Sequence, residues 1–450
     1  MRHDRIFVGL WKLWRLLPAV VLISITTAQA QDPQVASAGA PAQSLPKSSD
    51  YISEAGVSVE ELIHRMSANN LELQAARQRL TQAEARLTQA SLRANPHLDF
   101  EQKSDRLISN QGSREEEMTF NQPLELFGKR SRRIGLARVE IERIRYEVAD
   151  LERRRTADLA ILIGQAISAA AHLYSLERIS ELNENLRRAT LVRVKAGDAS
   201  RYDFNQIESE AARLESERLS IASQVDSLLL QIKALIGMPL EEPIKLRDEP
   251  RVFGGEMPSP DEALKLAAEL RPDLKTARLA EEEAEAKIRL AETGGAPDLG
   301  VILGFKRDAT VDPAPLHSSD WQFKVGVSIV LPAFNRNQGA IREAAAALSE
   351  ARLTRQNLEL MVRRDVMIAL KRLGQAQRNV KLHEEQALRL GRGNVQMARL
   401  GFEQGELRLA DYLTEQRRLT DVERSYAQAR AEVFQAKIEL ERAIGRPQGR

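Results

Sequence analysis

The 450-residue chain contains no cysteine, which excludes disulfides and thiolate metal sites and suits an oxidising compartment without requiring one. Aromatic residues are only 4%, too few for several compact cores, whereas charged residues reach 29%, a balance that fits long solvated helices. Neither charge sign dominates. The formal net charge is +2 with both signs interspersed, so no basic face for nucleic acid is present. The six histidines (His3, His64, His97, His172, His317, His383) are scattered, and none lies three or four residues from another. That excludes a helical metal pair. Gly391-Arg392-Gly393 lies within a helical pattern with no strand before it, and no nucleophile elbow or Walker sequence occurs. No catalytic, cofactor or metal site is expected.

Proline is missing from two long windows. Pro123 and Pro239 enclose 115 residues without it, and Pro332 and Pro447 enclose 114. A proline inside a helix costs about 3 kcal/mol, so these windows are where very long helices persist. Each is broken by one glycine at matching depth, Gly197 and Gly405, each 42 residues before the closing proline. The pattern predicts two lopsided helical hairpins.

At the N-terminus Arg2, Arg5, Lys12 and Arg15 precede an apolar run from Leu16 to Ile25, followed by Ala28-Gln29-Ala30. This reads as a signal peptide over 1–30, with the mature chain beginning near Gln31 and a disordered leader over 31–54. The run is too short for a membrane anchor, and no other stretch approaches eighteen apolar residues, so no transmembrane helix is expected downstream.

The remainder is a tandem duplication. With an offset of 201, Leu73 falls on Leu274, Ala76 on Ala277, and Asn95-Pro96-His97-Leu98 on Ala296-Pro297-Asp298-Leu299. With an offset of 208, Gly197 falls on Gly405, Asp203 on Asp411, and Ile236-Gly237-Met238-Pro239 on Ile444-Gly445-Arg446-Pro447. The repeats are expected at 55–247 and 248–450, with strands near 97–106, 115–124, 298–307 and 320–331 and hairpins at 130–237 and 336–445. Ser58 and Ser259 are expected N-caps, with Glu61 and Glu262 completing capping boxes and Pro260 at the first helical position. The second arms carry a coiled-coil seam: Phe204, Ile207, Ala211, Leu214, Ile221, Val225, Leu228, Ile232 and Leu235 step by three and four.

Strands separate a tube from a solvated rod. Trp321, Phe323, Val325, Val327 and Ile329 alternate with Gln322, Lys324, Gly326 and Ser328, the period and length of a transmembrane β-strand with lipid on one side and water on the other. A half-buried strand pair in a soluble domain is the alternative, but no other β-structure is expected for it to join. Four strands cannot close a membrane barrel, for which about eight is the minimum, and open edges are not tolerated in lipid. If the strands span a membrane, several chains must therefore pool them.

Taken together, the order helix–strand–strand–long hairpin, twice, after a signal peptide resembles the TolC-like outer-membrane factors of Gram-negative efflux systems. Gln122-Pro123-Leu124-Glu125-Leu126-Phe127-Gly128-Lys129-Arg130 is similar to the family's strand-to-helix passage, and Pro332-Ala333-Phe334-Asn335-Arg336-Asn337-Gln338-Gly339 to the heavy-metal (CzcC- and CusC-like) branch. The resemblance implies a mainly α fold with a small membrane β-barrel: a homotrimer with a twelve-helix α-barrel and a shared twelve-stranded β-barrel. It implies a passive export duct in the outer membrane and periplasm, working with a periplasmic membrane-fusion adaptor and an inner-membrane RND-type pump. Ala196, Gly197 and Gly405 would form the tip that meets the adaptor. Asp411 matches a constricting acidic ring and Asp203 its partner between hairpins. Phe402 stands where a gate tyrosine is expected and Leu407 where a gate arginine is expected, with Arg408 beside it. Without the resemblance, both aspartates read as residues of a helix's first turn, where Asp suits the dipole. The alternatives are a drug duct of the same fold and a periplasmic coiled-coil adaptor or scaffold; an adaptor normally has one hairpin flanked by small β-rich modules.

Overall fold

The computed structural model describes residues 47–104, 114–247, 257–310 and 318–446. The signal peptide, residues 31–46 and Pro447 lie outside them, as does most of the tip loops that the Asn-Gly-Ser and Asp-Pro-Ala-Pro stretches predict at 106–114 and 307–319; the strands run on into those ranges, to Arg114, Thr310 and Ser318. The fold is mainly helical with one sheet. In chain order it runs α1 (Ser48–Tyr51), β1 (Ile52–Val57), α2 (Val59–Asn69), α3 (Leu71–Ser91), β2 (His97–Ser104), β3 (Arg114–Leu124), α4 (Lys129–Ala196) and α5 (Arg201–Ile236). The second half follows with α6 (Pro260–Leu270), α7 (Pro272–Thr293), β4 (Asp298–Thr310), β5 (Ser318–Val330), α8 (Gln338–Leu382), α9 (Leu388–Gln404) and α10 (Leu409–Ile444).

The 68 residues of α4 span about 100 Å at the α-helical rise. Its counterpart runs from Gln338 to Gln404 and is interrupted by a π-turn at His383–Ala387 that joins α8 to α9. Glycines in the left-handed conformation end each arm: Gly197 (φ 84) and Gly405 (φ 81) after the first arms, Gly237 (φ 72) and Gly445 (φ 86) after the second. The serine caps form by halves. Ser58 Oγ accepts from the Glu61 N–H and Ser259 Oγ from the Glu262 N–H, both at 3.3 Å, but Glu61 turns its carboxylate to Arg65 rather than back to the cap.

The disordered leader needs correction over 47–54. Ser48 donates from its N–H (2.7 Å) and hydroxyl (2.8 Å) to Glu177 of α4. Tyr51 is 6% exposed inside the first hairpin's core, where burial and Asp226 push its phenol up to about 12. β1 meets Leu246 in parallel bridges. Two polar anchors and one aromatic offset the ordering entropy that composition alone made prohibitive. The apolar windows also need revision: stretches of α4 and α5 reach mean hydropathies of 1.5 and 1.3. Their greasiest faces, including Leu159, Ile163, Leu173, Val225 and Ile232, pack together with Leu62 and Met66 of α2.

α4 packs against α3 and α7, and further down against α5 and α10; α8 packs against α7 and α10, and α10 against α9. The helices thus form a curtain one layer thick, with α3 and α5 at one margin and α8 and α9 at the other. The four strands form one antiparallel sheet in the order β2-β3-β4-β5, joined across the two repeats by β3 and β4. Its margins, β2 and β5, are the strands that follow α3 and precede α8.

The two repeats share a joint. Gly237, ending α5, lies so close to the α2–α3 break that an added Cβ would sit 2.6 Å from Asn69 O; at Gly445, ending α10, it would sit 2.9 Å from Arg271 N at the α6–α7 break. Asn70 Nδ2 donates to Leu235 O (2.7 Å), and Arg271 Nη1 donates to Ala443 O (3.0 Å), so equivalent positions satisfy equivalent helix-end carbonyls. Arg271, 6% exposed, also grips Asp273. Burial pushes the Asp273 carboxyl up, but Arg271 and Arg153 hold it below the usual range. Arg271→Ala leaves the half-buried Asp273 carboxylate to Arg153, 4.0 Å away, orphans the Ala443 carbonyl, and is expected to cost about 3 kcal/mol. Arg271→Asn, which installs the first repeat's residue, should retain the carbonyl bond and lose less. Urea unfolding of the two variants measures the difference.

Candidate functional site

Register turns the alternating strands into a two-faced sheet. One face carries four successive rows: Leu124–Leu299–Ile329, Gln122–Val301–Val327, Leu98–Phe120–Leu303–Val325 and Phe100–Met118–Phe305–Phe323. All are apolar but Gln122. Phe305 and Phe323 meet with centroids 5.1 Å apart, and Arg307 lies over Trp321 at 5.6 Å. From Trp321 to Val330 the strand covers about 30 Å, or about 22 Å of height at the tilt of a membrane barrel. Trp321, Phe323, Val325, Val327 and Ile329 are all exposed in the single chain. The other face carries Glu117, Thr119, Asn121, Gly300, Gly304, Lys306, Lys324 and Ser328, cross-linked by Lys324–Glu117 at 3.1 Å. Ile302 interrupts its polarity.

At the far end of the hairpins the sequence-selected residues are divided. Asp203 Oδ2 accepts from the Ser200 N–H (3.3 Å) and hydroxyl (2.7 Å). Asp411 Oδ2 accepts from the Arg408 N–H (3.2 Å). Each aspartate closes the cap of its own second arm, and neither has an ion-pair partner among the described residues. Leu407 folds back, its N–H bonding Gly401 O at 3.0 Å and its side chain lying over Gly401. Phe402 stacks on Tyr412, centroids 6.1 Å apart, beside a small core of Ile207, Leu409 and Leu413. Ala196 precedes the left-handed Gly197, which has open space around it, as does Gly405.

The ties between hairpins lie higher and were not singled out from the sequence. Glu210 of α5, 4% exposed, accepts from Arg213 of its own helix and from Arg417 of α10 at 2.7 Å. One heptad on, Glu217 faces Arg424 of α10 at 3.8 Å and His172 of α4 at 3.9 Å. Burial pushes Glu210 up, but Arg213 and Arg417 hold it below the usual carboxylate range; burial pushes His172 down, opposed by Glu217. A signal existed: two glutamates seven apart on one second arm oppose two arginines seven apart on the other.

A two-faced sheet with open margins, continuous with a single-layer curtain of helices, is the geometry of a wall. Residues 263–446 match the family model described as outer membrane efflux protein. That match spans the second repeat, from α6 through α10. The chain is 25% identical over 394 residues, covering 87% of this chain and 90% of the relative, to the cobalt-zinc-cadmium resistance protein CzcC of Cupriavidus metallidurans. It is 25% identical over 306 residues, 65% of this chain and 64% of the relative, to the nickel-cobalt-cadmium resistance protein NccC of Alcaligenes xylosoxydans xylosoxydans. In fold it is similar to crystal structures of CusC, with a TM-score of 0.72 at 17% identity, covering 86% of this chain and 92% of that one. The chain is thus similar in its second repeat to outer membrane efflux proteins and, over 86% of its length, to the fold of a transmembrane channel.

Proposed function

We propose that this chain is the outer-membrane duct of a tripartite, RND-type system exporting heavy-metal cations. Three copies would join β5 of one to β2 of the next, closing a twelve-stranded barrel above a twelve-helix tunnel. The observation that carries this reading is that sheet and curtain end on corresponding margins, β2 with α3 and β5 with α8. Unpaired strand edges cannot remain in lipid. Along the α8–α9 margin Leu353, Leu360 and Met367, then Leu390 and Met397, recur at seven-residue spacing and stay exposed in the single chain, a seam suited to a neighbour's α3 and α5. The heavy-metal cargo rests on CzcC and NccC, whose names describe metal resistance. In this reading Ala196, Gly197 and Gly405 meet a periplasmic adaptor, and Asp411 with Asp203 rings the constriction nearby.

Because the chain has no cysteine, pairs introduced across the seam report without background. Leu98→Cys combined in turn with Phe323→Cys, Val325→Cys and Val327→Cys should give covalent dimer and trimer bands for at least one register. Monomer alone from every pair, in outer-membrane fractions, refutes the shared barrel. Loss of cobalt, zinc and cadmium resistance on deletion tests the cargo.

A further inference from the structure

The strands meet the helices in a belt of four loops tied to one another. Gln122 Nε2 donates to Ala94 O (3.0 Å), Arg130 Nε to Ser91 O (2.8 Å), Lys129 Nζ to Ala296 O (3.3 Å), and Asn337 Nδ2 to Ala291 O (2.7 Å). Two chemistries sit side by side on this belt. The first is apolar: Phe127 is 59% exposed, Leu331 72% and Phe334 96%. Phe127 is held at φ 57, a left-handed conformation rarely adopted by an aromatic residue. Such strain persists where the surroundings or a function require it. The second is cationic. Arg93, Arg132, Arg336 and Arg342 are exposed, and none has an ion-pair partner among the described residues.

The neighbouring cations are matched, Arg133 by Glu125 and Lys129 by Asp298, so the four arginines are a surplus. From Leu126 to Val139 the chain has five cations and no acid, and from Leu331 to Arg342 two cations and no acid. Among the described residues the opposite rim of the sheet is different: Lys306 pairs with Glu115 and Asp308, and Arg114 with Glu116. An aromatic two residues before a cation occurs in both repeats, Phe127 with Lys129 and Phe334 with Arg336.

We propose that this belt is a docking surface for anionic phospholipid, with Phe127, Leu331 and Phe334 at the acyl boundary and Arg93, Arg132, Arg336 and Arg342 on headgroup phosphates. It rests on the reading that the apolar sheet face is lipid-facing, since the belt continues that face from Ile329 through Leu331. Arginine engages phosphate oxygens through a planar fork of donors, and a cation near an anionic leaflet strengthens attachment roughly fivefold. A surplus of cations at one rim, with ion pairs at the other, orients the channel by leaflet charge.

The test compares the full-length channel with its Arg132→Gln/Arg336→Gln/Arg342→Gln variant. Both are purified in detergent with mixed phosphatidylglycerol and phosphatidylcholine, and bound lipid is counted by native mass spectrometry. The wild type should retain phosphatidylglycerol in preference, and the variant should lose that preference by roughly tenfold or more, with conductance in planar bilayers unchanged. Equal retention by both proteins overturns the inference. So does displacement of the lipid by millimolar inorganic phosphate, which marks a free-phosphate site. A shift in ion selectivity with unaltered lipid retention also overturns it, because the arginines then line the aqueous passage. A wild type that forms no channel defeats the duct reading as well, whereas a conducting wild type without lipid preference defeats this inference alone.

Discussion

Leu303→Arg is expected to keep the chain out of the membrane. Leu303 sits in the third apolar row, between Phe120 and Val325, near the middle of the band. Arginine on the lipid side at that depth costs about 2–4 kcal/mol in a membrane barrel, and three copies would each bear it. Marginal stabilities of about 5–15 kcal/mol leave little room for such a total. The adjacent register position supplies an internal control, because Gly304 pairs across the sheet with Lys324 on the polar face. Lys324 is already a cation at almost the same height, held by Glu117 at 3.1 Å, so the sheet accepts charge there. Lys324→Gln should therefore assemble nearly as well as the wild type. Heat-modifiable migration after folding into vesicles reads the outcome, together with recovery in outer-membrane fractions. Normal assembly of Leu303→Arg would mean that this face does not touch lipid.

The contrast between those two residues also explains what was legible in advance. Period-2 alternation is strict in β5, so the faces of Trp321 through Ile329 could be assigned from sequence, and register then carried the same assignment to Leu303 and Phe120. The left-handed glycines were legible for a comparable reason: an arm more than sixty residues long can reverse only where the backbone tolerates positive φ. What escaped were features held by contacts distant in sequence. Tyr51 is buried because Asp226 and the α4–α5 core lie beside it, which composition cannot reveal. The π-turn at His383–Ala387 has no proline or glycine to announce it. In the α5 seam, hydrophobic stepping selected Ala211 and Ile221, both only half-buried, and passed over Glu210, which is buried because Arg417 comes from the other repeat. The aspartates at 203 and 411 were legible as first-turn helix residues; the hydrogen bonds that close their caps, to Ser200 and to the Arg408 N–H, were not.

Glu210→Ala should therefore open the tip more than Asp411→Ala does. Near the tip the apolar contact between hairpins is slight, with Ile207 of α5 meeting Leu409 and Leu413 of α10. The Glu210–Arg417 pair and, a heptad higher, Glu217–Arg424 supply the rest. Removing Glu210 leaves Arg417 unpaired, whereas Arg213 keeps Glu217 at 2.9 Å; both arginines are nearly half exposed and can turn to water. The expected loss is thus about 1–2 kcal/mol rather than collapse. A bias of that size shifts a two-state equilibrium about 5- to 30-fold, which single-channel recordings in planar bilayers report as more frequent or larger open states. Acid should act in the same direction. Glu210 is held below its ordinary range, so its contribution is complete above about pH 4.5 and fades as pH falls through the depressed value; Glu210→Ala should lose that acid response. Asp411→Ala removes a cap worth about 1 kcal/mol and, if three copies surround the passage, should weaken cation preference with little change in open probability. If Glu210→Ala conducts like the wild type at both neutral and acid pH, the clasp does not govern closure and the constriction belongs to the aspartates alone.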